Sequence, residues 1–497
     1  MLGRSSPVRR LGASLAALST ALMLVLLGSP AQANVAIKVV SQDAFTNLDS
    51  GVYHATEVEP DTLSHGATTV SIFQVGRYQD GGASAIGWAT STNNGRSWTN
   101  GILPALTVNS TPPGPYKRST DPSVAYDAKH GQWLMGTLDS KSSPFVGTAI
   151  TVSRSTDGLT WGNPLTVAKA SGGSNFDSTW VACDDTPTSP NYGTCYFTWD
   201  DFGLGAPLKI ATSVDGGLTW TPVASVPSAS VIGSKAVPQP NGDVVVVADT
   251  NPISAAESFT SHDGGATFKG PFTIASLQQH APAGNLRGLD VPSADVDAAG
   301  NVYVSWYDCR FRAGCSSNDI VTSISSDGKT WSAPARVPID GTTSNVDHVL
   351  PGIAVQPGTS GPTARIALVY YFLPQANCSS NCQLAYGFIE STDGGSTWST
   401  ATQVAGPISY ASLPFTFSGY MVSDYTSASF ARNRVLTVFT VAKPGSTCTI
   451  QTLGACNESM AAPKTPFAAV GPFHRAGGDP VLFHGRSPTM GGLATTQ

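Results

Sequence analysis

One short motif recurs along this chain and limits what it can fold into. It reads SVDGGLTW at Ser213–Trp220, SHDGGATF at Ser261–Phe268 and STDGGSTW at Ser391–Trp398. Shorter copies are STDGLTW at Ser155–Trp161 and SSDGKTW at Ser325–Trp331, and STNNGRSW at Ser91–Trp98 puts Asn93 in the Asp position. The residue types suit one tight turn. The carboxylate accepts hydrogen bonds from its own turn, glycine takes positive φ, and the aromatic plugs the gap beneath. Such a turn is structural, so Trp98, Trp161, Trp220, Trp331 and Trp398 are expected to be buried between strands.

The key positions Asn93, Asp157, Asp215, Asp263, Asp327 and Asp393 lie 48 to 66 residues apart. A self-similar period near that length, with several short strands per unit, predicts an all-β propeller of four-stranded blades. Between the turns runs a second repeat, an inner strand followed by a more apolar one, as in TDPSVAYDAKHGQWLMGTL from Thr120. Seven such units can be read, against six turns. Seven blades are therefore favoured over six. The unit after Met421 lacks the turn, and the N-terminal segment NVAIKVV can donate its outer strand. One propeller domain is expected over 34–463, with 464–497 a C-terminal tail of no assigned pattern.

The first 33 residues read as a secretory signal peptide. Arg4, Arg9 and Arg10 precede an apolar run from Leu11 to Leu27, and Ala31 and Ala33 mark the cleavage site. No other long apolar run follows, so no membrane span is expected after cleavage and the product is secreted. Without the three leader arginines, the 27 basic residues fall to 24, against 33 acidic ones. That balance argues against nucleic acid as a partner. The eight cysteines form four close pairs: Cys183 with Cys195, Cys309 with Cys315, Cys378 with Cys382, and Cys448 with Cys456. In an exported chain, short even spacings predict local disulfides, and the last three pairs should brace loops opposite the repeated turns.

Chemistry is expected on that opposite face, where loops enter the innermost strands or leave the second ones. Thirteen arginines follow the leader, and Arg77, Arg118, Arg287, Arg310 and Arg312 map to those loops. Converging guanidinium groups suit an acidic sugar, since they hold carboxylates bidentately. Asp121, Asp177, Asp290, Asp347 and Asp424 recur at the start of inner strands. Carboxylates around an axis can act as general acid and base or bind calcium through oxygen. Asp347–His348 and Asp424–Tyr425 each join a carboxylate to a second proton-transfer group. Glutamate is scarce, and only Glu57 and Glu59 fall in a plausible loop.

The repeated turn is an Asp box, and a ring of such blades resembles the sialidase superfamily. The segments GRYQDGGASAIGWATSTNNG, RSTDPSVAYDAKHGQWL, SWYDCRFRAGCSSNDIV and GYMVSDYTSASF are similar to secreted bacterial sialidase-like proteins with BNR repeats. The resemblance implies an exo-acting glycoside hydrolase. It casts Arg77, Arg118 and Arg287 as a clamp on a substrate carboxylate, Tyr425 as nucleophile and Asp121 as acid/base. Asp347, His348 and Arg310 are further site candidates from the residue reading. The Arg-Ile-Pro motif that opens sialidase domains is absent. Two other readings stay open: a lyase on a uronic-acid glycan using His348 or His280 with a tyrosine, and a non-catalytic binding propeller. A monomer acting on a glycan is expected. No cofactor is required, and calcium is the metal these oxygen ligands would suit.

Overall fold

Each repeated turn joins the third strand of an antiparallel sheet to the fourth. In a computed structural model, the structure describes residues 35–45, 49–223, 226–289, 291–443, 445–450, 456–468, 473–475 and 480–481. The leader expected over 1–33, Asp290 and most of the tail lie outside the described residues. The first sheet runs Glu57–His65, Thr68–Arg77, Ala83–Ser91 and Thr99–Ile102, from the inside outward. Five more four-stranded units repeat this order, the first two sheets being joined by the Ala83–Ser119 pair. The chain is an all-β propeller of four-stranded blades.

The inner strands are Glu57–His65, Arg118–Asp127, Phe176–Cys183, Val231–Pro238, Ser293–Val296, Asp347–Val355 and Ala428–Ala431. Each neighbours the next, and the last neighbours the first, so they ring an axis. The last unit is built in two pieces. Ala428–Ala431 pairs with Arg434–Thr437, after which Phe439–Ala442 pairs with Glu458–Pro463. The N-terminal strand Ile37–Val39 then pairs with that last segment, Ile37 opposite Pro463. Strand pairing runs past the boundary expected at 463, because Phe473–Arg475 pairs with Thr397–Ser399.

The turns form as their residue types require. Asp215 Oδ1 accepts from Ser213 Oγ at 2.9 Å and from the Leu218 and Thr219 amides at 3.0 Å. Gly216 and Gly217 hold φ of 71° and 78°, the left-handed region a side chain disfavours. Four of the six turns also fasten their sheet to the one before. The carbonyls of Gly158, Gly216, Gly264 and Gly328 accept from Thr90 Oγ1, Arg154 Nε, Tyr196 Oη and Ser258 Oγ, at 2.6, 2.6, 3.1 and 2.7 Å.

Of the motif aromatics, Trp161, Phe268 and Trp398 are buried, but Trp98, Trp220 and Trp331 are only half-buried. Beside Trp220 and Trp331 the outermost strands are two residues long, Thr221–Pro222 and Ala335–Arg336. Such short strands leave one side of the indole uncovered. Central strands such as Val244–Thr250 are buried along almost their whole length because sheets pack on both faces.

All four expected disulfides form, and the described residues include no free cysteine. Cys183 bonds Cys195 directly across the first two strands of the third sheet, where the two residues are register partners. Cys309 bonds Cys315, Cys378 bonds Cys382, and Cys448 bonds Cys456. These three close loops that follow strands Val302–Asp308, Ile366–Leu373 and Phe439–Ala442, on the side away from the turns. Among the described residues, no helix is long and apolar enough to cross a membrane.

Candidate functional site

Five inner strands slip register against their neighbours at one equivalent place. The slips fall between Val58 and Asp61, Thr120 and Ser123, Asp177 and Trp180, Ile232 and Lys235, and Val349 and Gly352. Each slip holds a left-handed residue: Glu59 (φ 55°), Asp121 (46°), Ser178 (51°), Gly233 (68°) and Leu350 (52°). A non-glycine residue there costs roughly 1–2 kcal/mol. Bulges of this kind re-aim side chains, and strain of this kind clusters at functional sites.

The side chains so placed form a buried charged cluster. Asp121 accepts from Thr120 Oγ1 and from the Ser178 amide, both at 2.9 Å. Glu59 accepts from Gln74 Nε2, and Gln74 Oε1 accepts in turn from Arg77 Nη1 at 3.2 Å. Arg287, from the loop before the fifth sheet, grips Asp424 bidentately, with Nε 2.7 Å from Oδ1 and Nη2 on Oδ2. A pocket of about 70 Å³ opens between them, lined by Asp121, Asp177, Lys235, Arg287, Asp424 and Tyr425. Lys235 Nζ stands 3.9 Å over the Trp180 ring and 5.7 Å from that of Tyr425. The Tyr425 hydroxyl donates to the Pro122 carbonyl at 2.9 Å.

Electrostatics here are set by burial. It pushes the Asp177 carboxyl up to about 7, with Asp121 adding to the rise. Glu59, Asp121 and Asp200, the cross-strand partner of Asp177, are raised by the same cause and by neighbouring carboxylates. Burial pulls Lys235 down to about 8, against the pull of Asp61 and Asp249. It also lifts the Tyr425 phenol, helped by Glu59 and Asp121, so the hydroxyl stays protonated. Asp177 thus holds its proton near neutrality, which is what a general acid needs.

The structure brings Arg77, Arg287, Asp121 and Tyr425 together, and separates the other sequence candidates from them. Arg118 turns outward, donating to Asp80 Oδ1 at 2.6 Å, Gly81 O at 3.0 Å and Ser143 Oγ at 2.7 Å. Its guanidinium lies 3.8 Å over the Tyr78 ring. Arg310 folds back on Asp308, with Nε 2.9 Å from Oδ1 and Nη2 2.6 Å from Oδ2. Asp347 accepts from the Asn318 amide at 2.6 Å and pairs with His280 Nδ1 at 3.1 Å. His348, its neighbour on the strand, points the other way, as alternation requires. It bonds Asn318 O at 3.1 Å and sits 3.8 Å from Asp340.

Asp319, Asp340 and His348 come close enough to share a metal ion. Two guanidinium groups already occupy those carboxylates, Arg312 at 2.5 and 2.6 Å and Arg336 at 2.8 and 2.9 Å. That arrangement is a salt-bridge network and a poor fit to calcium.

His280 faces an open groove of about 750 Å³, lined with Tyr307, Phe415 and Phe417. One stretch of chain divides the two cavities. Leu286 and Gly288 line the groove, while Arg287 and Leu289 line the pocket. Sequence reasoning placed no weight on Lys235 or Trp180, which sit inside an inner strand. The signal that could have found them is the repeat itself, since both occupy the residue just after the slip. Glu59-Pro60 and Asp121-Pro122 are likewise equivalent.

No family model matches the chain, and no curated protein matches it by sequence. Among solved structures it is similar to the Hadza microbial sialidase Hz136, at 13% identity and TM-score 0.45, over 82% of this chain and 65% of that one. Trypanosoma rangeli sialidase with sialic acid is similar at 11% identity and TM-score 0.45, over 85% of this chain and 58% of that one. The exo-β-1,3-galactanase of Phanerochaete chrysosporium shares 13% identity at TM-score 0.37, over 76% and 93%. That likeness is one of fold. The chain spans 58 to 65% of the length of the two sialidases named.

Proposed function

We propose that this chain is a secreted glycan-active enzyme, a glycoside hydrolase whose axial carboxyls act on a terminal acidic sugar. The observation that carries the reading is Asp177, which burial raises to about 7, beside Asp121, which burial also raises, on one buried pocket. A carboxyl of that kind can protonate a leaving glycosidic oxygen, and a second carboxylate can then serve the water or the sugar. Asp177 is the proton donor in this reading and Asp121 its partner. Tyr425 is better suited to orienting than to nucleophilic attack, because its proton goes to a backbone carbonyl and not to a base. Arg77 and Arg287 favour an acidic sugar. Arg77 Nε and Arg287 Nη1 are buried without an acceptor. The four disulfides support an oxidising, extracellular setting.

Pockets that enclose a ligand usually offer roughly 300–1,000 Å³. The axial pocket falls below that range and the neighbouring groove within it. The rings of the glycan therefore suit the groove, and one substituent suits the pocket. A second reading draws on the groove itself. His280, held by Asp347, and Tyr307 could serve as base and acid in β-elimination on a uronic-acid glycan. A panel of sialosides, uronic-acid polysaccharides and neutral glycans tests both, read by released sugar and by ultraviolet absorbance of unsaturated product. Hydrolysis lost in Asp177→Asn supports the first reading. Unsaturated product lost in His280→Ala supports the second. Turnover of none of them sinks both and leaves a binding propeller.

A further inference from the structure

Asn318 ties His280 and Asp347 into one unit beside the open groove. Its Oδ1 accepts from the His280 amide at 2.8 Å, and its Nδ2 donates to the His280 carbonyl at 2.8 Å. The same Nδ2 donates to Asp347 Oδ1 at 2.8 Å, beside the Asn318 amide at 2.6 Å. Asp347 Oδ2 is left to meet His280 Nδ1 at 3.1 Å. The Asp347 side chain has no exposed surface, while a quarter of the His280 side chain is exposed and lines the groove. With Nδ1 turned to a buried carboxylate, the exposed edge is the one that carries Nε2. A carboxylate in that place sets the tautomer that leaves Nε2 as an acceptor, and it stabilises the imidazolium formed on proton uptake.

The lining of the groove narrows what such a base can act on. Among the described residues it includes Asn285, Tyr307, Phe415, Phe417 and Ser418, and no Lys, Arg, Asp or Glu. A uronate carboxylate would find no cation there to neutralise it, and a glycosidic bond would find no carboxyl to protonate it. A neutral ester needs neither. We propose that the groove hydrolyses acyl esters on glycan hydroxyls, acetyl esters above all, with His280 as general base and Asp347 as its positioning residue. His280 Nε2 takes a proton from a water whose oxygen attacks the acyl carbon. The ester C–O bond then breaks, the imidazolium returns the proton to the departing sugar oxygen, and the acyl group leaves as its carboxylic acid. Asn285 and Ser418 offer neutral donors to the carbonyl oxygen as it gains charge. Phe415 and Phe417, 42% and 70% exposed, give apolar faces against which a sugar ring can lie. The proposal takes from the reading above only that this face meets glycans, and its chemistry uses none of the axial carboxyls.

Incubation of the mature chain with acetylated xylan and acetylated pectin, beside their deacetylated forms, tests this, with acetate measured by proton NMR. Acetate should appear from the acetylated glycans without unsaturated product. His280→Ala should slow its release by roughly 10²–10⁴-fold, and added imidazole should restore part of the rate. Asp347→Asn should lower kcat, and Asp347→Glu, which restores the charge, should recover part of it. Should His280→Ala fold poorly, the wild type still decides: loss of acetate release under diethyl pyrocarbonate should track modification of His280, mapped by mass spectrometry. Release unchanged in His280→Ala, inactivation that does not follow His280, or no acetate from either glycan overturns the proposal. Unsaturated product from pectin that is lost in His280→Ala assigns the dyad to elimination and overturns it as well. The readings fail separately. Acetate release without cleavage of any glycosidic bond keeps the esterase and removes the glycoside hydrolase, and glycosidic cleavage without acetate release does the reverse.

Discussion

Arg287 Nε donates to Asp424 Oδ1 at 2.7 Å across 137 residues of chain, and the same guanidinium stands 5.5 Å from the Phe417 ring. This pair ties the loop before the fifth sheet to the unit that closes the ring. It also forms the wall between the axial pocket and the open groove. On the proposed reading, structure and recognition are therefore joined in one side chain.

The first prediction follows from that joining. Arg287→Ala leaves Asp424 buried near Glu59 and Asp121 without its bidentate partner, with only the field of Arg77 to offset its charge. Breaking a buried pair costs about 3–5 kcal/mol, so the melting temperature should fall together with activity. Replacing both partners, as Arg287→Met with Asp424→Leu, should restore much of the stability and none of the activity. Thermal melts of the single and double variants, beside assays on the acidic substrate, decide it.

Arg118→Ala should behave differently. Its hydrogen bonds and its contact with Tyr78 are structural, so its loss should lower stability by about 1–3 kcal/mol. The preference for acidic over neutral glycans should stay as it is in the wild type. A selective rise in KM for acidic substrates would put Arg118 back among the recognition residues.

A third expectation concerns catalysis and pH. Asp177 keeps its proton up to about 7, so a step that needs the protonated form should slow as pH rises through that value. Asp177→Asn should remove this alkaline limb and reduce kcat by roughly 10²–10⁴-fold. A pH–rate profile with the same limb in the variant would assign the proton to another group.

Stability should depend on pH in the same direction. Burial raises Glu57, Asp139, Asp177 and Asp295 to about 7 in the folded chain. Each raised carboxyl contributes stability that is fully present below its unfolded value and is lost as pH climbs through about 7. The turn aspartates Asp157, Asp215, Asp263 and Asp327 oppose this. Their slight burial is outweighed by hydrogen bonds that lower them, so they act only below about pH 4. The melting temperature should therefore be higher at pH 5 than at pH 8. Asp139→Asn should reduce the slope by about one proton, or roughly 1.4 kcal/mol per pH unit. An unchanged slope would show that Asp139 is ionised in the fold.

The last prediction concerns closure. The Ile37–Val39 strand supplies the edge of the final unit, and Lys38 Nζ donates to Gly95 O at 2.6 Å and Arg96 O at 2.8 Å. Removing residues 34–40 should open the ring between its first and last units. Urea titration should show a lower midpoint, with hydrogen exchange fastest in Glu458–Pro463.

The sequence by itself determined the blades, the turns and the disulfides, because each rests on contacts a few residues apart. Asp215 needs only Ser213, Leu218 and Thr219 to make its turn. Cys378 finds Cys382 at a separation of 4 residues, and even the widest pair, Cys183 with Cys195, spans only 12. Charge pattern and loop position also marked Arg77, Arg287, Asp121 and Tyr425. The strained place of Glu59 and the buried state of Lys235 are not legible in either segment alone, and only alignment of the repeated inner strands marks their positions as equivalent to those of Asp121 and Trp180. Only the tertiary structure decided between arginines that look alike in the chain. Arg118 opens an inner strand and Arg287 lies in the loop entering another, yet the first finds Asp80 within its own neighbourhood and turns outward. The other meets Asp424 from the far end of the sequence and stays on the axis. The physical reason is that a guanidinium commits to whichever carboxylate the fold brings within about 3 Å, and a ring closed by its last unit alone sets that meeting.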